Sequence, residues 1–271
     1  MYSGTTFRKN SGAIVGVHQK IDRIARRHLR VLLPSIHPFP SSAQILHFEG
    51  NNGPDGIKRK SPSKDEPWHY IDPAKPDDRV LIDLINDHEY NLAEALRARN
   101  NTRAAFEAAW LAHAVVDGLT PAHHYPLNDK IEELWGKPHH ERLTIKDKNI
   151  IKGTNRRDTI SKNWQYWGAG GVFTAHLAFE LGVAATIAPH SFTAAGPTKG
   201  DINELTNIGL ENLFLKSVHR INDLKLYEEF GVSGWTRSLA NQTRKVLIPE
   251  IIKVVTLAWY SAYLQSLEAT S

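Results

Sequence analysis

Two histidine–carboxylate pairs in this 271-residue chain are spaced four apart: His113 with Asp117 in WLAHAVVDGLTPAHH, and His176 with Glu180 in GVFTAHLAFELG. On a helix such pairs project from one face, one turn apart. Both faces read as inward: the first carries Trp110, flanked by Ala109 and Val116, and the second carries Phe173 and Leu177. A carboxylate buried among apolar side chains is costly unless it is paired or bound to a metal. Either pair alone also reads as a satisfied, hydrogen-bonded pair on a helix. Together they fit the way helical bundles build metal sites, from carboxylates and histidines on facing helices. Pro121 fits a helix end that turns His123 back towards the same region.

Three further candidates are less regular. His18 lies on an apolar stripe, where a packed core histidine is the plain alternative. Asp55 follows Gly53-Pro54 in a loop-like stretch and could be a turn carboxylate. His69 lies in PWHYID, which could simply anchor a loop against the core. The chain has no cysteine, so disulfides and thiolate sites are excluded and any metal must take nitrogen and oxygen ligands. Fourteen histidines supply the borderline donors. Those outside the candidate set, among them His28, His47, His88 and His124, read as surface or packing residues.

The elements that must position these groups carry the helical period. Residues 16–33 place His18, Ile21, Ala25 and Leu29 on one stripe with basic residues opposite, and Pro34 stops the helix. Asp77-Asp78 can cap a helix to about Asn100, with Leu81, Leu84, Ile85, His88, Leu92 and Leu96 inward. A third runs from about Thr102 to Val116, and three more cover residues 171–185, 202–222 and 242–267. Alternating strand patterns are scarce, so the fold class is all-α, a multi-helix bundle with long loops and a central metal cluster. Residues 50–67 have linker composition and could mark a domain boundary. Residues 137–163 hold eight Lys or Arg against three acidic residues, a solvated excursion or an arm for a phosphate backbone.

The ordered set His18, Asp55, His69, His113-x3-Asp117, His123 and His176-x3-Glu180 resembles the zinc-dependent phospholipase C family, whose relatives are the single-strand-specific zinc nucleases. The resemblance covers residues 16 to 185 and makes Asp55 and His69 part of the site, which argues for one domain over 1–271. It implies two to three Zn2+ ions. One would be held by Asp55, His69, His113 and Asp117; a second by His123, His176 and Glu180; a third would share Asp117 and take His18. It also implies a hydrolase cleaving a phosphoester substrate, phospholipid or nucleic acid, by a metal-activated water, with Asp55 accepting the proton. In the family the third zinc also takes the amino group and carbonyl of an N-terminal tryptophan. Here the first residue is Met1, the first tryptophan is Trp68, and no residue before His18 offers an equivalent ligand by type.

Glu180, where the nucleases use aspartate, and the fourteen-residue step from Asp55 to His69 favour the phospholipase branch. Gly56 stands where choline-binding members place a tyrosine, and the calcium-dependent lipid-binding sandwich of some members has no counterpart, so phosphatidylcholine is not supported as substrate. The rival reading is a metal-stabilised helical protein without catalysis. A net charge of +4 leans weakly towards anionic partners. The apolar run Ala13 to Val17 is too short for a secretory signal, and the apolar stretch 246–264 is interrupted by Glu250 and Lys253, as in a core helix rather than a membrane span. A cytoplasmic protein with no transmembrane segment and no obligate protein partner is the expectation.

Overall fold

The first helix, α1 (Val17–Leu32), begins where the period predicts and buries His18, Ile21, Ala25 and Leu29. The computed structural model describes residue 1 and residues 16–268; the run from Ala13 falls, up to residue 15, outside the described residues. The chain is 72% helical, with no strand among the described residues, so it is the all-α bundle expected.

After α1 come the short helices α2 (Ser42–Leu46) and α3 (Pro54–Lys60), then α4 (Val80–Arg97) and α5 (Asn101–Gly118). Next are α6 (Leu127–Trp135), α7 (Ile145–Asn149), α8 (Arg156–Trp167) and α9 (Val172–Ile187). The chain closes with α10 (Lys199–Asn222), α11 (Leu226–Ser233), α12 (Arg237–Gln242) and α13 (Ile248–Leu267). Several starts follow from capping chemistry. Ser41 and Gln44 form a capping box on α2, Thr198 and Asp201 form another on α10, and Asn100 caps α5 by accepting from the Arg103 N–H.

Helices α1, α4, α5 and α10 surround α13, whose Trp259 is fully buried and donates its indole N–H to the Ala108 carbonyl of α5 at 2.8 Å. One core runs continuously from Val17 to Tyr263. A smaller cluster of Tyr70, Leu127, Ile131, Ile151 and Tyr166 packs beside it. At the end of α5, Gly118 admits Phe214 and Leu81 so closely that an added methyl would lie 2.5 Å from the Phe214 ring.

Several boundaries differ from those the sequence predicts. Helix α4 starts at Val80 because Asp78 is used elsewhere, accepting the Asp72 N–H at 2.9 Å. Leu84 in it is only partly buried. The linker-like stretch folds into two single turns flanking α3, with Pro54, Gly56 and Ser63 buried. The basic stretch 137–163 is partly helical, and several of its cations are engaged by the fold. Lys148 donates to the Ser61 carbonyl at 2.7 Å and pairs with Glu66, and the Lys137 and Lys152 ammoniums lie over Trp135. The last predicted helix is longer and jogs through a π-turn at Thr243–Leu247 between α12 and α13.

Two helical segments, Arg156–Ile187 and Arg237–Leu267, are long and apolar enough to cross a membrane by length and composition. The second is mostly buried in the core, as expected for residues 246–264. The first is interrupted at residues 168–171, and its C-terminal half turns His176 and Glu180 inward.

Candidate metal centre

Helix α5 supplies the centre of the site. His113 and Asp117 sit one turn apart, both buried, with the His113 Nε2 3.2 Å from Asp117 Oδ2. The chain then stops: Thr120 Oγ1 donates to the Val116 carbonyl at 2.7 Å, and a single turn over Pro121–His124 reverses direction. That reversal carries His123 back towards Asp117, at 3.5 Å. The PWHYID segment is tied to the same turn, because Ile71 N–H donates to the His123 carbonyl at 3.2 Å and His123 Nδ1–H donates to the His69 carbonyl at 2.7 Å. These bonds set His69 Nδ1 against Asp117 Oδ2 at 2.6 Å.

The remaining candidates arrive from other elements. His18, on α1, places Nε2 3.3 Å from Asp117 Oδ1 and stacks on the His113 ring at a centroid distance of 4.1 Å. Asp55, in the first turn of α3, lies 3.9 Å from His113 Nε2 and is the carboxylate most open to solvent, its side chain 32% exposed. From α9, Glu180 Oε1 accepts from His176 Nε2 and contacts His123 Nε2, each at 3.0 Å. The inward stripe of α9 is His176, Phe179, Glu180, Val183 and Ile187. Phe173 and Leu177, predicted on that stripe, instead line a cleft beside it.

All eight sequence-predicted residues therefore fall into three groups that could each hold a metal ion, the first two sharing His113: His18, His113 and Asp117; Asp55, His69 and His113; and His123, His176 and Glu180. In each group the ligand atoms lie within 4.8 Å of one another. The donor set fits a divalent ion of borderline character, because it is all imidazole nitrogen and carboxylate oxygen. The hydrogen bonding fits too: both ring nitrogens of His18, and His69 Nε2, His113 Nε2 and His176 Nδ1, are buried without a hydrogen-bond partner.

Electrostatics follow from this crowding. Burial would raise Asp117, but His123, the Met1 amine and His113 outweigh it and hold its carboxyl well below the usual range. Glu180 is likewise held low, against its burial, chiefly by the Met1 amine and His176. Burial of Asp55 is outweighed by His113 and His69, which keep it ionised. Burial lowers His123 to about 3, consistent with a neutral ring whose Nδ1 proton is committed to the His69 carbonyl and whose Nε2 lone pair faces the cluster. His113 goes the other way: Asp117 and Glu49 outweigh its burial and raise it well above its ordinary value.

Sequence reasoning misses three residues here. Glu49, fully buried, places Oε2 3.4 Å from His113 Nδ1 and so orients the ring whose Nε2 faces the cluster. Asp22 is buried one turn after His18 on α1; the four-residue spacing that singles out Asp117 and Glu180 applies to it equally. The third is the α-amino group of Met1, which donates to Asp117 Oδ1 at 2.7 Å and lies 3.4 Å from both His123 Nε2 and Glu180 Oε1. The amine is a backbone group without a residue-type signature, so reading residue types before His18 cannot reveal it. Burial would lower it, and Asp117 and Glu180 outweigh that, raising it to about 10.

A cleft of about 640 Å³ opens from the cluster, reaching Asp55, His123, His176 and Glu180 at its floor. No family model, curated protein or solved structure matches this chain.

Proposed function

We propose that this chain is a zinc-dependent phosphoric ester hydrolase resembling phospholipase C, cleaving a phosphodiester at the His/carboxylate cluster. The observation that supports this best is three ligand groups side by side, two of them sharing His113, with Asp55, His123, His176 and Glu180 reaching an open cleft. In this reading Asp55, His69, His113 and Asp117 hold one ion, and His123, His176 and Glu180 hold a second. His18, Asp117 and the Met1 amine hold a third.

Bound there, divalent ions would supply Lewis acidity, acidifying water towards neutral pH and neutralising phosphate charge. The chain's own groups do the rest. Asp55, the carboxylate facing the cleft, accepts a proton from the attacking water. Glu49 holds the His113 ring in one orientation, and the His69 carbonyl does the same for His123. The apolar wall beside the floor excludes bulk water from the substrate's ester oxygen.

Metal analysis combined with hydrolysis of a chromogenic phosphodiester, with and without chelator, tests this reading. Two to three zinc per chain and chelator-sensitive hydrolysis are expected. A fully loaded protein that hydrolyses no phosphodiester would overturn it and leave a metal-stabilised helical protein. One observation favours the nuclease branch as a second reading: Trp164 and Trp167 are exposed, and Trp167 lines the cleft, where bases could stack. Turnover of single-stranded oligonucleotide against micellar phospholipid separates the two.

A further inference from the structure

The cleft wall contains a cation that the cluster chemistry does not use. Lys58, on the last turn of α3, lines the cleft together with Asp55, Tyr70 and Glu180. It has no carboxylate ion pair among the described residues, unlike neighbouring Lys148, which is taken up by backbone carbonyls and Glu66. Its Nζ stands 5.1 Å from the centroid of the Tyr70 ring. Tyr70 is a buried aromatic facing the cleft, and an aromatic face of this kind is what a quaternary ammonium group needs for recognition. Here the protein's own ammonium already occupies it.

The neighbouring backbone closes the other route to such a site. Gly56 packs so tightly on Asn51 that a Cβ there would land on the Asn51 carbonyl, so no aromatic side chain can be presented from the position after Asp55. Beyond Lys58 one part of the cleft is apolar and aromatic, with Leu127, Ile131, Tyr166 and Phe173, and another is polar, with Arg59, Glu66 and Lys148.

Resting on the phosphodiester reading, we propose that Lys58 is a specificity-determining residue. Its ammonium binds an anionic oxygen of the substrate and repels a cationic head group. The cleft therefore takes phosphodiesters of net negative charge with an apolar or aromatic substituent. The cation–π contact with Tyr70 is kept, because the aromatic ring stays beneath the ammonium while its outer side meets the anion.

The test compares two chromogenic esters sharing a nitrophenolate leaving group: bis(p-nitrophenyl) phosphate, an anion, and p-nitrophenyl phosphorylcholine, a zwitterion. The zinc-loaded wild type should favour the anion by about tenfold or more in kcat/KM. Lys58→Gln should weaken the anion mainly through KM, by about tenfold to a hundredfold, the range of a charge-assisted hydrogen bond. The choline ester should be unchanged or improved, and Lys58→Arg should retain most of the preference. A ratio unchanged in Lys58→Gln, or a wild type that prefers the choline ester, would overturn the proposal.

Calorimetric binding of phenylphosphonate keeps the two readings apart. If the loaded wild type hydrolyses neither ester but binds phenylphosphonate, and Lys58→Gln binds it about tenfold more weakly, the hydrolase reading falls and the Lys58 site stands. If Lys58→Gln binds it as the wild type does, with zinc content and helical circular dichroism intact, the Lys58 site falls whatever the activity.

Discussion

Replacing Asp117 with asparagine should cost the chain more than one metal ion, whereas Glu180→Gln should cost one. Asp117 is the only carboxylate within 3.5 Å of four imidazoles among the described residues, namely His18, His69, His113 and His123. Glu180 touches only His123 and His176. If both of the ions that share Asp117 need its charge, the loss is visible as stability. A ligand at a hundred times its Kd stabilises the folded state by about 2.7 kcal/mol per site. For a chain of 271 residues that is roughly 5–10 °C in melting temperature per site. The zinc-induced increment, measured by scanning calorimetry at a fixed free zinc concentration, should fall by about 5 kcal/mol in Asp117→Asn and about half as much in Glu180→Gln. Emission spectrometry of the dialysed proteins gives the ion count independently. The metal-free variants also differ, since breaking a buried ion pair costs about 3–5 kcal/mol, so each increment is referred to its own metal-free protein. Equal losses in the two variants, or a larger loss in Glu180→Gln, would refute the bridging role of Asp117.

Asp55→Asn should reduce phosphodiester hydrolysis by about a hundredfold, the lower range of a general base contribution, with the ion held by His123, His176 and Glu180 retained on metal analysis. Gly118→Ala should destabilise the chain by about 1–3 kcal/mol in urea titration, as overpacking does, because the new methyl meets Phe214 and Leu81 with no room to move. The metal-free protein should lose stability as pH falls below about 6.5. Burial lowers His69 and His123 in the folded state, so the unfolded chain takes up protons that the folded chain refuses. For His123 the window runs from about 6.5 down to about 3, at about 1.4 kcal/mol per pH unit. His113, raised when folded, is protonated in both states across this window and does not offset the loss. Urea midpoints that stay level between pH 6.5 and 4.5 in chelator would contradict this.

The parts of the site on regular helices were readable because helical spacing converts directly into a shared face. His113, Asp117, His176 and Glu180 needed only the four-residue step, and the turn at Pro121 placed His123. Asp55 and His69 were not readable in that way. They are delivered by a short helix of seven residues and by an extended segment held through backbone bonds to His123, neither of which has a periodic signature. The resemblance to the phospholipase family supplied them. Asp22 follows the same four-residue rule from His18, on the buried face of α1. Glu49 carries no local signal at all, because it orients His113 across 64 positions of sequence. The short helices α6, α7 and α8 are hidden by composition: an acidic α6 and basic α7 and α8 look like loop until Tyr166 and Ile131 are seen packing on Tyr70.

What the buried groups of the cluster lack bears on whether they could hold metal ions as well as pair with one another. A network built for stability pairs most of its polar atoms; elsewhere in the bundle His88 Nδ1 meets Glu107 at 2.5 Å, with His88 Nε2 left without a hydrogen-bond partner. In the cluster, five imidazole nitrogens on four histidines are buried with no hydrogen-bond partner. Each unsatisfied buried group costs about 1–3 kcal/mol, and His18 Nε2 and His113 Nε2 share one carboxylate within 3.3 Å, that of Asp117. Water could satisfy some of them, but water cannot balance Asp55, Asp117 and Glu180, three carboxylates that the surrounding groups hold ionised. The Met1 ammonium and His113, which Asp117 and Glu49 hold in its charged form, offer two positive charges against those three carboxylates. A divalent ion answers both demands at once, taking the nitrogen lone pairs and neutralising the carboxylates. The buried donors and charges point to the same residues as the family resemblance does.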